Sequence, residues 1–308
     1  ATVTYEVQAG DTTSDLTNGT IALGTGATLV DTAGNAMSNF ALTGNSLGAN
    51  KALVLDTTAP RIVSISSDLA DGTYNVGQDI DLDITFSEAV TLAGANGLEI
   101  ILTMDGADRT VDLQPFSSST TATVTYEVQA GDTTSDLTNG TIALGTGATL
   151  VDDGGTAMSN FALTGNSLGT NKALVLDTTA PTVSSFTTAT DSGSYKAGEE
   201  IVITANTSEA IQNNNTITVT LDTGDTVTLT AASAGTTLVG TYTVGAGDNS
   251  SALTISSFTI GTVADTVGNA MTSTTLPGSS SIFTTKTIII DTTAPTAEIT
   301  YAGAGGSP

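Results

Sequence analysis

The residues in this chain best placed to do chemistry are acids, and they recur in a fixed set of short motifs. An Asp opens each Asp-Thr-Thr-Ala-Pro run (Asp56, Asp177, Asp291), and a Glu sits in each Ser-Glu-Ala (Glu88, Glu209). An Asp follows Gly in the Gly-Asp pairs at 10–11, 131–132 and 247–248 (Asp11, Asp132, Asp248), and another precedes a recurring Gly-containing turn (Asp31, Asp152, Asp265). Hard oxygen donors of this kind suit calcium, which takes roughly six to eight oxygens, chiefly from carboxylates and carbonyls. The expected ligand sets are Asp177 with Glu88, Asp132 and Asp152, and Asp291 with Glu209, Asp248 and Asp265. Asp56, Asp11 and Asp31 are their counterparts at the N-terminal end. The same residues admit a second reading. Asp is common in turns because its side chain bonds nearby backbone, and an acidic surface is a general solubility device.

Composition removes most other chemistry. The chain has 308 residues with no Cys, His or Trp, 6 Lys or Arg and 31 Asp or Glu, for a formal net charge of -25. Without His there is no Ser-His-Asp or Cys-His machinery and no imidazole ligand. Without Cys there are no disulfides, thiolate nucleophiles or zinc knuckles. A chain this acidic lacks the basic surface that a phosphate backbone needs, so nucleic acid is not an expected partner. Nor is membrane insertion, because no apolar run approaches the length of a span. Paired carboxylates can hydrolyse glycosides, but repeated acids would have to build that site once per unit, and there is no Trp platform for a sugar. An enzyme is not expected.

The elements that must position the acids are strands. Asp79-Ile80-Asp81-Leu82-Asp83-Ile84-Thr85-Phe86, Thr123-Val124-Thr125-Tyr126-Glu127-Val128 and Thr216-Ile217-Thr218-Val219-Thr220-Leu221 alternate apolar and polar residues. That period of two gives a strand one buried and one wet face. Further strands are predicted at 61–66, 98–104, 109–114, 140–144, 149–151 and 172–176. Thr (63 residues) and Val favour strands, and 33 Gly with many Asn and Asp punctuate them. The predicted fold class is all-β, as tandem Ig-like β-sandwich domains in an elongated array.

The repeat sets the phase. Residues 1–60 and 122–181 match at 56 of 60 positions without a gap. A third, diverged copy retains the four acids while most of their surroundings change. With Asp-Thr-Thr-Ala-Pro as the joint, the expected units are 56–176 and 177–290. Residues 1–55 read as the C-terminal half of a preceding unit and 291–308 as the start of another, as in a window cut from a longer array. One loop departs from the pattern: Asn35 and Asn269 correspond to Thr156, while Thr32 corresponds to Asp153. That loop either keeps its ligand count with the positions exchanged or binds differently.

The joint Asp177-Thr178-Thr179-Ala180-Pro181, the strand end Phe86-Ser87-Glu88, the Gly131-Asp132 turn and the loop Asp31-Thr32-Ala33-Gly34-Asn35 resemble the bacterial Ig-like tandem repeats of large secreted (RTX-type) adhesins and related bacterial surface proteins. The resemblance covers essentially the whole chain. It implies an extracellular, cell-surface array, with calcium at domain junctions and neighbouring repeats of the same chain as partners. The expected function is a structural extender or stalk whose joints calcium stiffens. Two alternatives stand beside it: a self-assembling fibre or surface-layer subunit that adds strands between copies, and a multivalent glycan- or protein-binding module.

Overall fold

The structure is a computed structural model that describes residues 2–278, 283 and 285–299. The start of a further unit, expected at 291–308, lies in part outside these residues. In chain order the elements are a one-turn helix α1 (Leu47–Asn50), then β1 (Ile62–Ser66), β2 (Gly72–Tyr74), β3 (Asp79–Ala93), β4 (Leu98–Thr103), β5 (Arg109–Leu113), β6 (Phe116–Glu127), β7 (Thr138–Leu144) and β8 (Thr149–Asp152). A second one-turn helix α2 (Leu168–Asn171) precedes β9 (Leu174–Leu176), β10 (Val183–Thr187), β11 (Gly193–Tyr195), β12 (Glu200–Ile211) and β13 (Thr216–Leu221). The series ends with β14 (Thr226–Thr230), β15 (Gly235–Thr243), β16 (Asn249–Ser250), β17 (Ile255–Thr262) and β18 (Ile288–Asp291). The fold is all-β, as the period-two patterning predicts.

Two compact units result. One holds 2–72, 79–128 and 134–175, and the other holds 73–78, 129–133 and the described residues from 176 onward. In the first unit β1-β3-β6 form an antiparallel sheet, β8 joins the far half of β3, and β5-β4-β7 form a second sheet. Ile80, Leu82, Ile84 and Phe86 alternate inward from β3, and Leu98, Ile100 and Leu102 do so from β4. In the second unit β10-β12-β15-β14-β13-β17 run as one six-stranded sheet. A single pair, Thr230 opposite Val239, carries the pairing from β14 to β15. A smaller sheet, β11-β18-β16, stands beside it. Phe186 and Phe258 meet edge to face at the heart of this unit, with ring centres 5.9 Å apart, among Ile201, Ile203, Val219 and Leu238.

Residues 2–55 behave differently from their near-identical copy. In 122–176 the sequence forms part of β6 and all of β7 and β8, because β3 and β4 offer ladder partners, and it forms β9 against β2. Among the described residues 2–55 have no such partners. Their ladder pairing is confined to isolated bridges, Thr13 with Leu55 and Val30 with Ala36. Tyr5 is 57% exposed where Tyr126 is 4% exposed, and Leu29 is 50% exposed where Leu150 is 1% exposed. Strand preference here follows from what a residue packs against, not from its own backbone.

Candidate metal centre

The Ser-Glu-Ala motif interrupts a strand. β3 pairs with β6 in regular register up to Thr85, and pairing resumes only at Val90. The interruption is a bulge, which bends a strand and re-aims the side chains within it. It is pinned to the start of β1: the Ser87 N–H donates to the Arg61 carbonyl at 2.9 Å and the Arg61 N–H donates to the Ser87 hydroxyl at 3.0 Å. β12 repeats the device. Its register breaks between Asn206 and Ile211, the Ser208 N–H donates to the Thr182 carbonyl at 2.8 Å, and the Thr182 N–H donates to the Ser208 hydroxyl at 3.0 Å. Each bulge therefore lifts its Glu out of the ladder beside the joint Asp that leads into the neighbouring strand.

The third acid arrives from a loop. Asp152 ends β8 opposite Val90, and Asp265 pairs as a bridge with Ile211. Both open five-residue loops whose fourth residue has a left-handed backbone, Gly155 (φ 88°) and Gly268 (φ 107°), a conformation that only glycine takes at no steric cost. Each loop folds back on its own Asp. Thr156 N–H donates to Asp152 Oδ1 at 2.7 Å. Asp265 Oδ1 accepts from the N–H groups of Val267, Gly268 and Asn269.

Two carboxylate triads result: Asp56, Glu88 and Asp152 in one unit, and Asp177, Glu209 and Asp265 in the other. Within each, one oxygen per residue lies within 4.8 Å of the others. Burial, reinforced by the negative charges of Asp56 and Asp152, raises the Glu88 carboxyl above its ordinary range, while Arg61 pulls the other way. Burial, with Asp177 and Asp265, raises Glu209 in the same direction. Clusters of acids with no sulfur or nitrogen ligand can hold a hard metal ion. The first triad carries a further mark of such a role: Asp152 is buried, and its Oδ2 has no hydrogen-bond partner among the described residues. A buried, unpaired carboxylate oxygen is costly unless something cationic or a water meets it. A pocket of about 450 Å³ opens here, lined by Val54, Asp56, Glu88, Ala89, Asp153 and Gly154.

This grouping differs from the one expected from the sequence. Each joint Asp gathers with the Glu and the loop Asp that follow it in the chain, because β1 and β10 start right after the joint and are tied to the bulges. Glu88 and Asp152 thus lie with Asp56, and Glu209 and Asp265 lie with Asp177. The Gly-Asp acids belong to the other end of the strands: Asp79 pairs with Glu127 just before the Gly131-Asp132 turn, and Glu88 is roughly 30 Å further along β3 at strand spacing. Asp248 follows β15 in the same way, at the end where Glu200 pairs with Thr243. These acids instead clamp their own turns. Asp248 Oδ2 accepts from the Tyr242 hydroxyl and the Gly245 N–H, both at 2.5 Å. Asp132 Oδ2 accepts from the Gln129 N–H at 2.7 Å, and Asp11 accepts from the Gln8 N–H and the Tyr5 hydroxyl. Asp31 is enclosed by its own loop through Ala33 and Asn35. Asp291 accepts from the Thr293 N–H at 3.0 Å and pairs with Asn249 at the Asp248 end.

The joint holds a part that sequence reasoning missed. The first Thr of each Asp-Thr-Thr-Ala-Pro clips the preceding Gly-Asp turn. The Thr57 hydroxyl accepts from the Gly10 N–H and donates to the Asp11 carbonyl. Thr178 does the same for Gly131 and Asp132, and Thr292 for Gly247 and Asp248. The recurring spacing of Gly-Asp to the joint, 47 residues from Gly10 to Thr57 and from Gly131 to Thr178 and 45 from Gly247 to Thr292, was the available signal. No family model matches the chain, and no curated protein does either.

Proposed function

We propose that the chain is a structural extender segment of a bacterial cell-surface adhesin or filament, built of tandem Ig-like β-sandwich units whose joints calcium stiffens. The observation that carries this reading is the recurrence, in two units, of a carboxylate triad that includes the joint Asp itself. A cation held by Asp56, Glu88 and Asp152, or by Asp177, Glu209 and Asp265, ties the entering segment of a unit to its bulged strand and its loop. Calcium matches the donor set: the groups present are carboxylates and carbonyls, and three carboxylates supply a large part of the roughly six to eight oxygens the ion takes. The Ig-like reading rests on two sheets per unit of short, mostly antiparallel strands, with β11 and β18 a parallel pair. The extracellular setting rests on the resemblance of the repeated motifs alone.

Calcium neutralises a repulsion that the fold imposes, so it binds the folded chain and stabilises it by mass action. The test is the melting temperature of the full chain in millimolar calcium, in chelator, and in magnesium. A calcium-specific rise of several degrees supports the reading. Equal melting in all three removes calcium from it and leaves a rod held by proline joints and packing.

A second reading, strand addition between copies in a fibre, has one observation in its favour. Tyr5, Leu29 and Met37 are exposed where the matching Tyr126, Leu150 and Met158 are buried. Regular polymers in solution would favour this reading, and a monomer at all concentrations would remove it.

A further inference from the structure

The loops around the two triads differ in sequence, and the difference at their fifth residue is a matter of counting protons. Asn269 and Thr156 occupy the same place, four residues after the loop Asp. The Asn269 amide has two N–H donors and uses both: it donates to the Asp177 carbonyl at 2.9 Å and to Asp265 Oδ2 at 2.7 Å. The Thr156 hydroxyl has one proton, which goes to the Asp56 carbonyl at 3.3 Å. Nothing remains for Asp152 Oδ2, and that oxygen is the buried orphan. The loop of Asp265 is also the better braced, since the Asn75 amide donates to the Val267 carbonyl at 2.9 Å. The charges differ in the same sense. Asp153 lines the pocket beside Asp56 and Glu88, with its Oδ2 accepting from the Ser118 hydroxyl at 2.9 Å, where the other loop has Thr266. Arg61 is the one positive group acting on Glu88. It is exposed, and no hydrogen bond from it reaches Asp152 Oδ2.

We infer that the residue four positions after the loop Asp sets how strongly each pole takes a divalent cation: Thr156 leaves the Asp56–Glu88–Asp152 pole open to a tightly held ion, while Asn269 caps the Asp177–Glu209–Asp265 pole with its own amide. The inference rests on the cation reading above and deepens it. The two poles are unequal sites, and they fill in order as calcium rises. An outer partner of a metal ligand commonly shifts affinity by about 10-fold or more, so the separation is large enough to resolve.

The experiment is calorimetric titration of the full, chelator-stripped chain with calcium, repeated on Glu88→Gln and Glu209→Gln to assign each binding step without touching the loops. The parent chain should show a tight step that Glu88→Gln removes and a weaker one that Glu209→Gln removes. Thr156→Asn should then weaken the tight step by roughly 10-fold, and Asn269→Thr should strengthen the weak step. Circular dichroism of each variant identifies any that fails to fold, and the reciprocal exchange supplies a second, independent reading. Two steps of equal affinity that neither exchange moves would overturn the inference and leave the cation reading standing. No calcium binding by the folded parent chain would overturn both.

Discussion

Asp152 lies directly across the antiparallel ladder from Val90, on the strand that has just carried Glu88 through its bulge. Asp265 stands in the same relation to Ile211 and Glu209. The backbone ladder therefore sets the separation of the acids, and their mutual repulsion does not. A strand pair that buries Val90 and Leu92 on β3 and Leu150 on β8 holds three carboxylates together as a by-product of hydrophobic burial.

That arrangement has a pH signature. Burial and the neighbouring acids raise Glu88 and Glu209 above the ordinary glutamate value of 4.5. A raised carboxyl favours the protonated form in the folded state. Its stabilising contribution is complete below 4.5 and is lost as pH rises through the raised value. In chelator at neutral pH, Glu88→Gln and Glu209→Gln should melt above the parent chain, and the advantage should vanish below pH 4.5. In millimolar calcium the order should reverse. Melting curves across pH check both.

The turn clamp predicts a contrast between two tyrosines of matching sequence context. Tyr242 is buried, and its hydroxyl serves the Asp248 carboxylate at 2.5 Å. Burial and that bond push the Tyr242 phenol upward, and the same bond draws Asp248 downward. Tyr242→Phe should cost about 2 kcal/mol, the worth of a hydrogen bond to a charged group. Tyr5→Phe should leave stability unchanged, because Tyr5 is exposed in a segment whose ladder pairing, among the described residues, is confined to isolated bridges. Urea unfolding of the two variants separates the cases.

The strands were legible because alternation is a local signal. β13 lies over the residues the pattern marks, and β4 and β5 fall within one residue of it. By its sequence β3 ends at Phe86-Ser87-Glu88, however, since the alternation breaks after Phe86, while the strand continues to Ala93 through the bulge. The acids were legible as a recurring set but not as triads. Grouping them requires knowing which end of β3 each reaches, and that follows from pairing. The clip of Thr178 was legible only through the recurring spacing to Gly131, because a hydroxyl in a Thr-rich chain looks like any other.

The clip gives a further prediction. Replacing Thr178 with Val keeps the shape and removes the hydroxyl that satisfies both the Gly131 N–H and the Asp132 carbonyl. Thr178→Val should destabilise by about 1–2 kcal/mol, as expected when partly buried backbone groups lose their partner. Denaturant titration measures it, and Thr178→Ser should restore most of the loss.

The contrast between the two near-identical segments is testable by amide hydrogen exchange. Residues 138–152 lie in β7 and β8 and should exchange slowly, whereas 17–31, of the same sequence, should exchange at nearly the unfolded rate. The identical sequences cancel intrinsic rates, so any difference reports tertiary pairing alone.

The central claim is that a cation at each triad fastens the joint to the bulged strand and the loop that follow it. Hydrogen exchange of the full chain with and without calcium, resolved to the segments 56–60, 152–156, 177–181 and 265–269, tests it most directly. Calcium should slow exchange in these four segments and in the bulges at 87–89 and 208–210, with little change in β4 or β13. Calcium-independent exchange at the joints and loops would contradict the account.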